Sequence, residues 1–291
     1  MQTTLMKPIT STIYGAELQT CQLLGLPYSI REHTTLNEKL EILNGITHNS
    51  TDYPRMKYIA IGNGGHRAKT GANGIEIGEI LQHKPTDAAL FNHIPFVVRE
   101  PNNDLTPQQR ERFGLRRLEE HNGKQFVVYY LRRRELSDVN TELIYETVVN
   151  TTTETTINHT AFKPTREHLS PAPEPLDAVG VNTLNGDYVR CEAVIQIEWT
   201  KWDLNELKNA ANIIYGDERY AIITEVALVS GADRVVESQN AGSANFNYKE
   251  VVSAQCCAYI STDFRAYFHN TDITLDINVG ASEPMFALVA P

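Results

Sequence analysis

Hydrophobic runs long enough to cross a membrane are missing from this 291-residue chain, and so are the signatures of the common catalytic centres. No apolar stretch approaches the roughly 20 residues that a spanning helix needs, which excludes a helical membrane protein. No G-x-S-x-G elbow, H-E-x-x-H zinc helix or EF-hand loop is present. Cysteine is scarce: Cys21, Cys191, Cys256 and Cys257 form no C-x-x-C pair, so they read as small buried thiols rather than a metal centre or disulfide framework. Residues Met1 to Pro8 lack a charged stretch followed by an apolar core, which gives the expectation of a protein made in the cytoplasm. Cations are in deficit, 26 Lys plus Arg against 36 Asp plus Glu, and the net charge of −10 argues against sequence-specific nucleic-acid binding.

What the chain does have is a succession of β-rich runs with one clear helix. Residues Leu204, Leu207, Ala210, Ala211 and Ile214 recur at helical spacing, with Asp203 as the expected N-cap and Gly216 as the stop, predicting a helix over 203–215. A strand is expected from Tyr220 to Val229, followed by a turn at Ser230-Gly231-Ala232-Asp233. Within it, Glu225 sits between apolar neighbours. Strand alternation points it to solvent; turned inward it needs a partner, and Arg219 and Arg234, which bracket the strand, or an oligomer interface could supply the cation.

The N-terminal segment, 1–55, reads as an arm with two short helices, one over 16–26 ended by Pro27 and one over 36–43 stopped by Asn44-Gly45. Its apolar content suggests a segment weakly cored on its own, which packs either on a partner or on the body of its own chain, and whose loss would harm assembly more than folding. The first β-rich half, 56–161, starts with a strand running into Gly62-Asn63-Gly64-Gly65-His66-Arg67. Arg67 stands where the dinucleotide fingerprint requires a third glycine, and no helix follows, so this is a backbone turn. His66 has no second His or Cys at metal spacing. Phe113 to Glu120 and Gln125 to Leu131 form a hairpin about His121-Asn122-Gly123, and the Thr-rich run 151–160 suits a solvated sheet face.

Pro164, Pro171, Pro173 and Pro175 mark 162–180 as an extended linker or strap. The second half, 181–291, opens with strict alternation from Tyr188 to Trp199, a half-buried strand. The expected fold is therefore mainly β: an antiparallel, jelly-roll-like β-sandwich with one inserted helix and a short helical N-terminal arm, its halves forming either one sandwich or two domains.

Two sets of residues are candidates for sites. Arg110, Arg112, Arg116, Arg117, Arg132, Arg133 and Arg134 cluster in an otherwise acidic chain. They form either a solvated face paired with Glu111, Glu119, Glu120 and Glu135 or a cationic surface for an acidic neighbouring subunit. The second set is Glu225 with Arg219 and Arg234, as a structural charge. No residue set points to catalysis, a cofactor or a metal. Acids such as Asp217, Glu218 and Glu225 have the type, but no distinguishing pattern, of a glycosidase pair.

Four phrases carry a resemblance: Tyr58-Ile59-Ala60-Ile61-Gly62-Asn63-Gly64, Asp87-Ala88-Ala89-Leu90-Phe91, Ile222-Ile223-Thr224-Glu225-Val226-Ala227-Leu228 and Val279-Gly280-Ala281-Ser282-Glu283-Pro284. Together they resemble virion structural proteins of tailed bacteriophages, in which a strand ending in a glycine turn and a later I-T-E-x-x-L strand recur. Relative to the form I-T-E-I-G-L-F, this chain has Ala227 for Gly and Val229 for Phe. Within that class the chain is most similar to neck or collar components of contractile-tailed phages, with a baseplate or tail adaptor second. The resemblance implies a virion protein made in the host cytoplasm, without enzymatic activity or cofactor. It also implies a homo-oligomeric ring that joins head to tail and contacts other neck or tail proteins. The competing reading is a carbohydrate-binding or receptor-binding β-sandwich.

Overall fold

In the computed structural model, residues 4–6, 9–24, 27–30, 36, 40–43, 45–49, 51, 53–71, 74, 76–150, 155–163, 165, 188–238, 246–269 and 271–284 are described. Strands β1 (Thr4–Met6) and β2 (Thr10–Ser11) lead into helix α1 (Ile13–Leu24), then β3 (Tyr28–Ser29), β4 (Thr47–His48) and β5 (Arg55–Gly62). A hairpin of β6 (His66–Thr70) and β7 (Glu76–Ile80) follows, then the short strands β8 (His93–Ile94) and β9 (Val97–Arg99) and the one-turn helix α2 (Pro107–Arg110). Next are β10 (Phe113–His121), β11 (Lys124–Arg133), β12 (Thr141–Asn150), β13 (Thr155–Ala161) and β14 (Tyr188–Trp199). The long helix α3 (Lys201–Tyr215) precedes β15 (Ile222–Ser238), β16 (Phe246–Arg265) and β17 (Ile273–Pro284).

The fold is mainly β and sandwich-like, with antiparallel sheets and an inserted helix. One sheet has the order β10-β11-β5-β15-β16-β2, with β8 on β5 and β9 on β11; a second has the order β1-β17-β14-β12-β13. Contacts divide the chain into two units that interleave in sequence. Unit 1 holds 1–136 and 197–275, and unit 2 holds 137–196 and 276–291.

Local chemistry accounts for the elements that position the site. The β10–β11 hairpin turns on Asn122 and Gly123, whose φ values of 53° and 75° are those of a type I′ turn. Helix α3 begins at Thr200, not Asp203: the Thr200 hydroxyl accepts from the Asp203 N–H while the Asp203 carboxylate accepts from the Thr200 N–H, a capping box. It ends at Gly216, with φ 78°. Its buried face, Leu204, Leu207, Ala210 and Ala211, packs across β9.

No turn interrupts β15 at Ser230–Asp233. The strand runs on, and the irregularity there is a register shift against β16 between Ser230 and Ala232 and another against β5 between Val229 and Gly231, with Gly231 allowing Tyr58 and Val251 to approach the backbone. The Gly-rich stretch after Gly65 also holds a hairpin, β6–β7, that its polar sequence concealed.

The N-terminal segment packs on the body of its own chain, one of the two arrangements open to a segment without a core of its own. Leu36, Leu40 and Ile42 are buried in the main cluster of unit 1 with Tyr58, Leu115, Val128, Tyr130 and Val251, while Leu18, Tyr28 and Ile30 pack with Cys257. Burying each such side chain contributes roughly 1.5–3 kcal/mol, so the segment is part of the fold of its own unit. Of the expected second helix over 36–43, residues 36 and 40–43 are described: the Leu40 N–H donates to the Leu36 carbonyl at 3.1 Å, but 41–43 are not helical, and Glu41 has a φ of 51° that ends any helical turn. The Pro-rich stretch lies outside the described residues apart from 162, 163 and 165.

Unit 2 differs in kind. Its described part is β12 flanked by β13 and β14, plus most of β17. Among its residues, Ile195 and Ile277 are buried, while Leu143, Ile157 and Val194 are exposed. One face carries Arg190 with Glu146 at 2.7 Å and Glu192 at 3.2 Å.

Candidate functional site

Glu225 lies on β15, a central strand paired with β5 on one side and β16 on the other, opposite Gly62 and Ser261. It is fully buried. Its expected orientation to solvent is overturned because the neighbouring segments supply enough donors to hold a carboxylate inside. Oε1 accepts from the Gly64 N–H at 3.1 Å and the Asn92 N–H at 3.0 Å; Oε2 accepts from the Phe91 N–H at 3.0 Å and faces His83 Nε2 at 2.8 Å. A carboxylate burdened with burial is stable only when its lone pairs are satisfied in this way.

The expected cations do not serve it. Arg219 is bound to Asp217 through three short contacts at the surface. Arg234 is an exposed residue beside a surface recess lined by Glu41, Arg117 and Glu250.

The glycine turn is shaped around this group. A side chain at Gly62 would put its Cβ 2.6 Å from the Asn92 carbonyl and closer still to Glu225 Oε1; one at Gly64 would lie 2.7 Å from the Asn92 nitrogen. The Gly65 N–H donates to the Thr224 hydroxyl at 2.7 Å, and the Leu81 N–H donates to the Gly65 carbonyl at 2.8 Å. His83 is held flat between the rings of Phe91, 4.3 Å away, and Tyr259, 4.0 Å away. The Tyr259 hydroxyl donates to the Asp87 carbonyl at 3.0 Å, and burial raises its pKa further above the usual phenol value. Three of the phrases noted in the sequence, 58–64, 87–91 and 222–228, thus meet at one buried carboxylate.

The arginine cluster is spent mostly on carboxylates of unit 1. Arg110 and Arg116 both reach Asp104, at 2.8 and 2.9 Å, where the Tyr129 hydroxyl also donates. Arg112 and Arg132 share Asp203, at 2.7 and 3.3 Å, and the Arg112 guanidinium lies over the Trp202 ring. Arg117 pairs with Glu250 and caps the Leu40 carbonyl at 2.8 Å; Arg133 reaches Asp233 at 2.7 Å; Arg134 donates to the Glu135 carbonyl. The partners are Asp104, Asp203, Asp233 and Glu250 rather than Glu111, Glu119, Glu120 and Glu135: Asp104 lies in the turn before α2, and strand pairing and α3 bring the other three, distant in sequence, alongside.

Asp233 is a second polar centre. It accepts from Lys57 Nζ at 2.7 Å, from Arg133 and from the Tyr58 hydroxyl. Burial pushes its pKa up, but those three hydrogen bonds outweigh burial and lower it to about 2. It faces a recess of about 460 Å³ that also shows Arg55, Lys249, Glu111 and Glu135, with the carboxylate already committed to its three donors.

Asp104, His83, Asp233 and the donor role of Asn92 carried no local sequence signal; only the co-occurrence of the glycine turn and the Thr224-Glu225 pair hinted at the lock. Among the described residues no group of three His, Cys, Asp or Glu has metal-holding geometry, and no helix is long and apolar enough to cross a membrane. Chemically, the arrangement ties β5, the 81–92 loop and β15 together. No curated protein and no solved structure matches the chain. Residues 1–290 match the model of a family of unknown function (DUF7208), and the chain belongs to that family.

Proposed function

We propose that the chain is a structural subunit of a tailed-phage virion, forming a homo-oligomeric ring in the neck or collar that joins head to tail. The carrying observation is the sheet of unit 2, where three large apolar side chains, Leu143, Ile157 and Val194, are exposed. A sheet is stable when a second layer covers at least one face. In a ring, neighbouring copies provide that layer, through a heterologous contact in which two different surfaces of the same chain meet. The position in the neck is taken from the sequence resemblance alone.

The buried Glu225 lock supports a scaffold role, since its donors hold chain segments together. The exposed rings of Tyr220, Tyr267 and Phe268 favour a second reading, a carbohydrate-binding part of the virion, because sugars stack on such platforms. Electron microscopy and sedimentation of the purified chain test the first reading. Closed rings of identical subunits are expected, and a monomer at every concentration would sink it. Particles lacking the protein place it: tailless heads with free tails mean a neck joint, whereas tails without tips mean a baseplate part.

A further inference from the structure

Four of the exposed large apolar side chains of unit 1 gather at one place: Tyr215 and Tyr220 at the end of α3 and the turn after it, and Tyr267 and Phe268 on the turn after β16. Phe268 is 71% exposed and Tyr220 53%, values at which an aromatic ring contributes nothing to its own core. The rings are arranged in pairs, with Tyr215 and Tyr220 centred 5.3 Å apart and tilted, and Tyr267 and Phe268 5.3 Å apart edge to face. Between them runs an open groove of about 350 Å³ whose rim carries Arg219 and Arg265. Both guanidiniums touch a carboxylate two residues away, Asp217 and Asp263, yet they remain 75% and 56% exposed and keep donors free for a second acid. Clustered aromatic rings rimmed by arginine are the composition of interface hot spots.

The same chain contains a segment with the opposite chemistry. Over 169–177 the sequence is Leu169-Ser170-Pro171-Ala172-Pro173-Glu174-Pro175-Leu176-Asp177, with three prolines at alternate positions, two carboxylates and no cation. Proline at that density favours an extended chain that loses little entropy on docking, and proline rings pack on aromatic faces. Glu174 and Asp177 complement Arg219 and Arg265 in sign.

We propose that the groove of Tyr220, Tyr267 and Phe268 receives the 169–177 strap of a neighbouring copy, making one of the head-to-tail contacts of the ring. This rests on the ring reading and names the surface on which it depends.

The test is sedimentation velocity on the full chain and two variants: a patch variant, Tyr220→Ala with Phe268→Ala, and a strap variant, Pro171→Ala, Pro173→Ala and Pro175→Ala. Tyr220 and Phe268 are exposed, so an unchanged thermal melt is expected of the patch variant. Each variant alone should sediment as smaller species than the parent. An equimolar mixture should recover paired complexes, since one intact strap then meets one intact groove. A peptide of residues 166–180 should bind the strap variant and lose roughly tenfold or more in affinity when Phe268→Ala is added.

If the parent assembles and both variants sediment with it, the docking inference falls while the ring stands. If the parent is monomeric throughout, the ring reading itself falls. Should the patch variant expose the strap to protease without altering sedimentation, the groove holds the strap of its own chain. A sugar-binding signal abolished by Phe268→Ala with assembly intact assigns the rings to a glycan. Either result overturns the contact between copies.

Discussion

His83 Nε2 stands 2.8 Å from Glu225 Oε2, with each side chain 1% exposed, and the imidazole is stacked between two rings. The pair is neither a surface ion pair nor a titratable group open to a substrate. It is the fourth member of a donor set whose other three members are backbone N–H groups, so the carboxylate fixes main-chain positions in the glycine turn and the 81–92 loop. Glu225→Gln points an amide NH₂ at a backbone N–H in either orientation, at Phe91 or at Gly64 and Asn92. We expect a loss of about 3–5 kcal/mol of stability. Urea unfolding at an unchanged m-value checks it, and a midpoint equal to that of the parent would refute the lock.

Gly62→Ala tests the same centre from the other side. The added methyl meets the Asn92 carbonyl at 2.6 Å and the Glu225 carboxylate, both held by backbone, so the turn must move. A destabilisation of roughly 2–4 kcal/mol is expected, against less than about 1 kcal/mol for Gly78→Ala, where nothing lies within 4 Å. Parallel thermal melts of the two variants distinguish a steric requirement from a general intolerance of glycine replacement.

Much of the fold is legible in the residues. The alternation from Tyr188 to Trp199 becomes β14 with the same limits, and Asn122-Gly123 becomes a tight hairpin, because each signal is local. The helix stop at Gly216 is equally local, whereas its start was misplaced by three residues because Asp203 and Thr200 cap each other and either reads as a cap. What the sequence hides is non-local. Nothing around Glu225 announces His83, which is 142 positions away, and nothing near Arg112 points to Asp203, 91 positions away. Charge balance was visible, but the pairing of charges was decided by register.

The N-terminal segment provides a sharper contrast. Its apolar residues are too few to form a core alone, yet Leu40 and Ile42 are each 1% exposed because they complete a core built by β5, β10, β11 and β15. Leu40→Ala should cost about 2–5 kcal/mol. Deleting 1–46 should therefore abolish the cooperative melt of the chain as well as its assembly; a truncated chain that melts with the parent midpoint would return the segment to the status of a free arm.

The thiols separate by environment. Cys191 is exposed on β14, contrary to the expectation of four buried thiols, while Cys256 is fully buried, and burial pushes its pKa up to about 12. Burial likewise raises Cys257. Since the thiolate is the reactive form, a maleimide at neutral pH should label Cys191 in the folded chain and reach Cys256 and Cys257 only on unfolding. Peptide mapping by mass spectrometry reads the order directly.

Asp233 sets a stability change in acid. Its pKa falls from 3.8 to about 2 because the hydrogen bonds from Lys57, Tyr58 and Arg133 prevail over burial. A depressed carboxylate stabilises the fold fully above its unfolded pKa, and that contribution fades as pH drops through the folded value. The window therefore runs from about pH 4 down to about pH 2, and the amount, discounted for solvent screening, is about 1–2 kcal/mol. Asp233→Asn removes the titrating group while keeping an acceptor oxygen, so the variant should be less stable than the parent at pH 6 and the gap should narrow as the pH approaches 2. Urea midpoints measured across that range check the sign. A gap that widens on acidification would mean that Asp233 is protonated in the fold and that the three donors do not hold a charge.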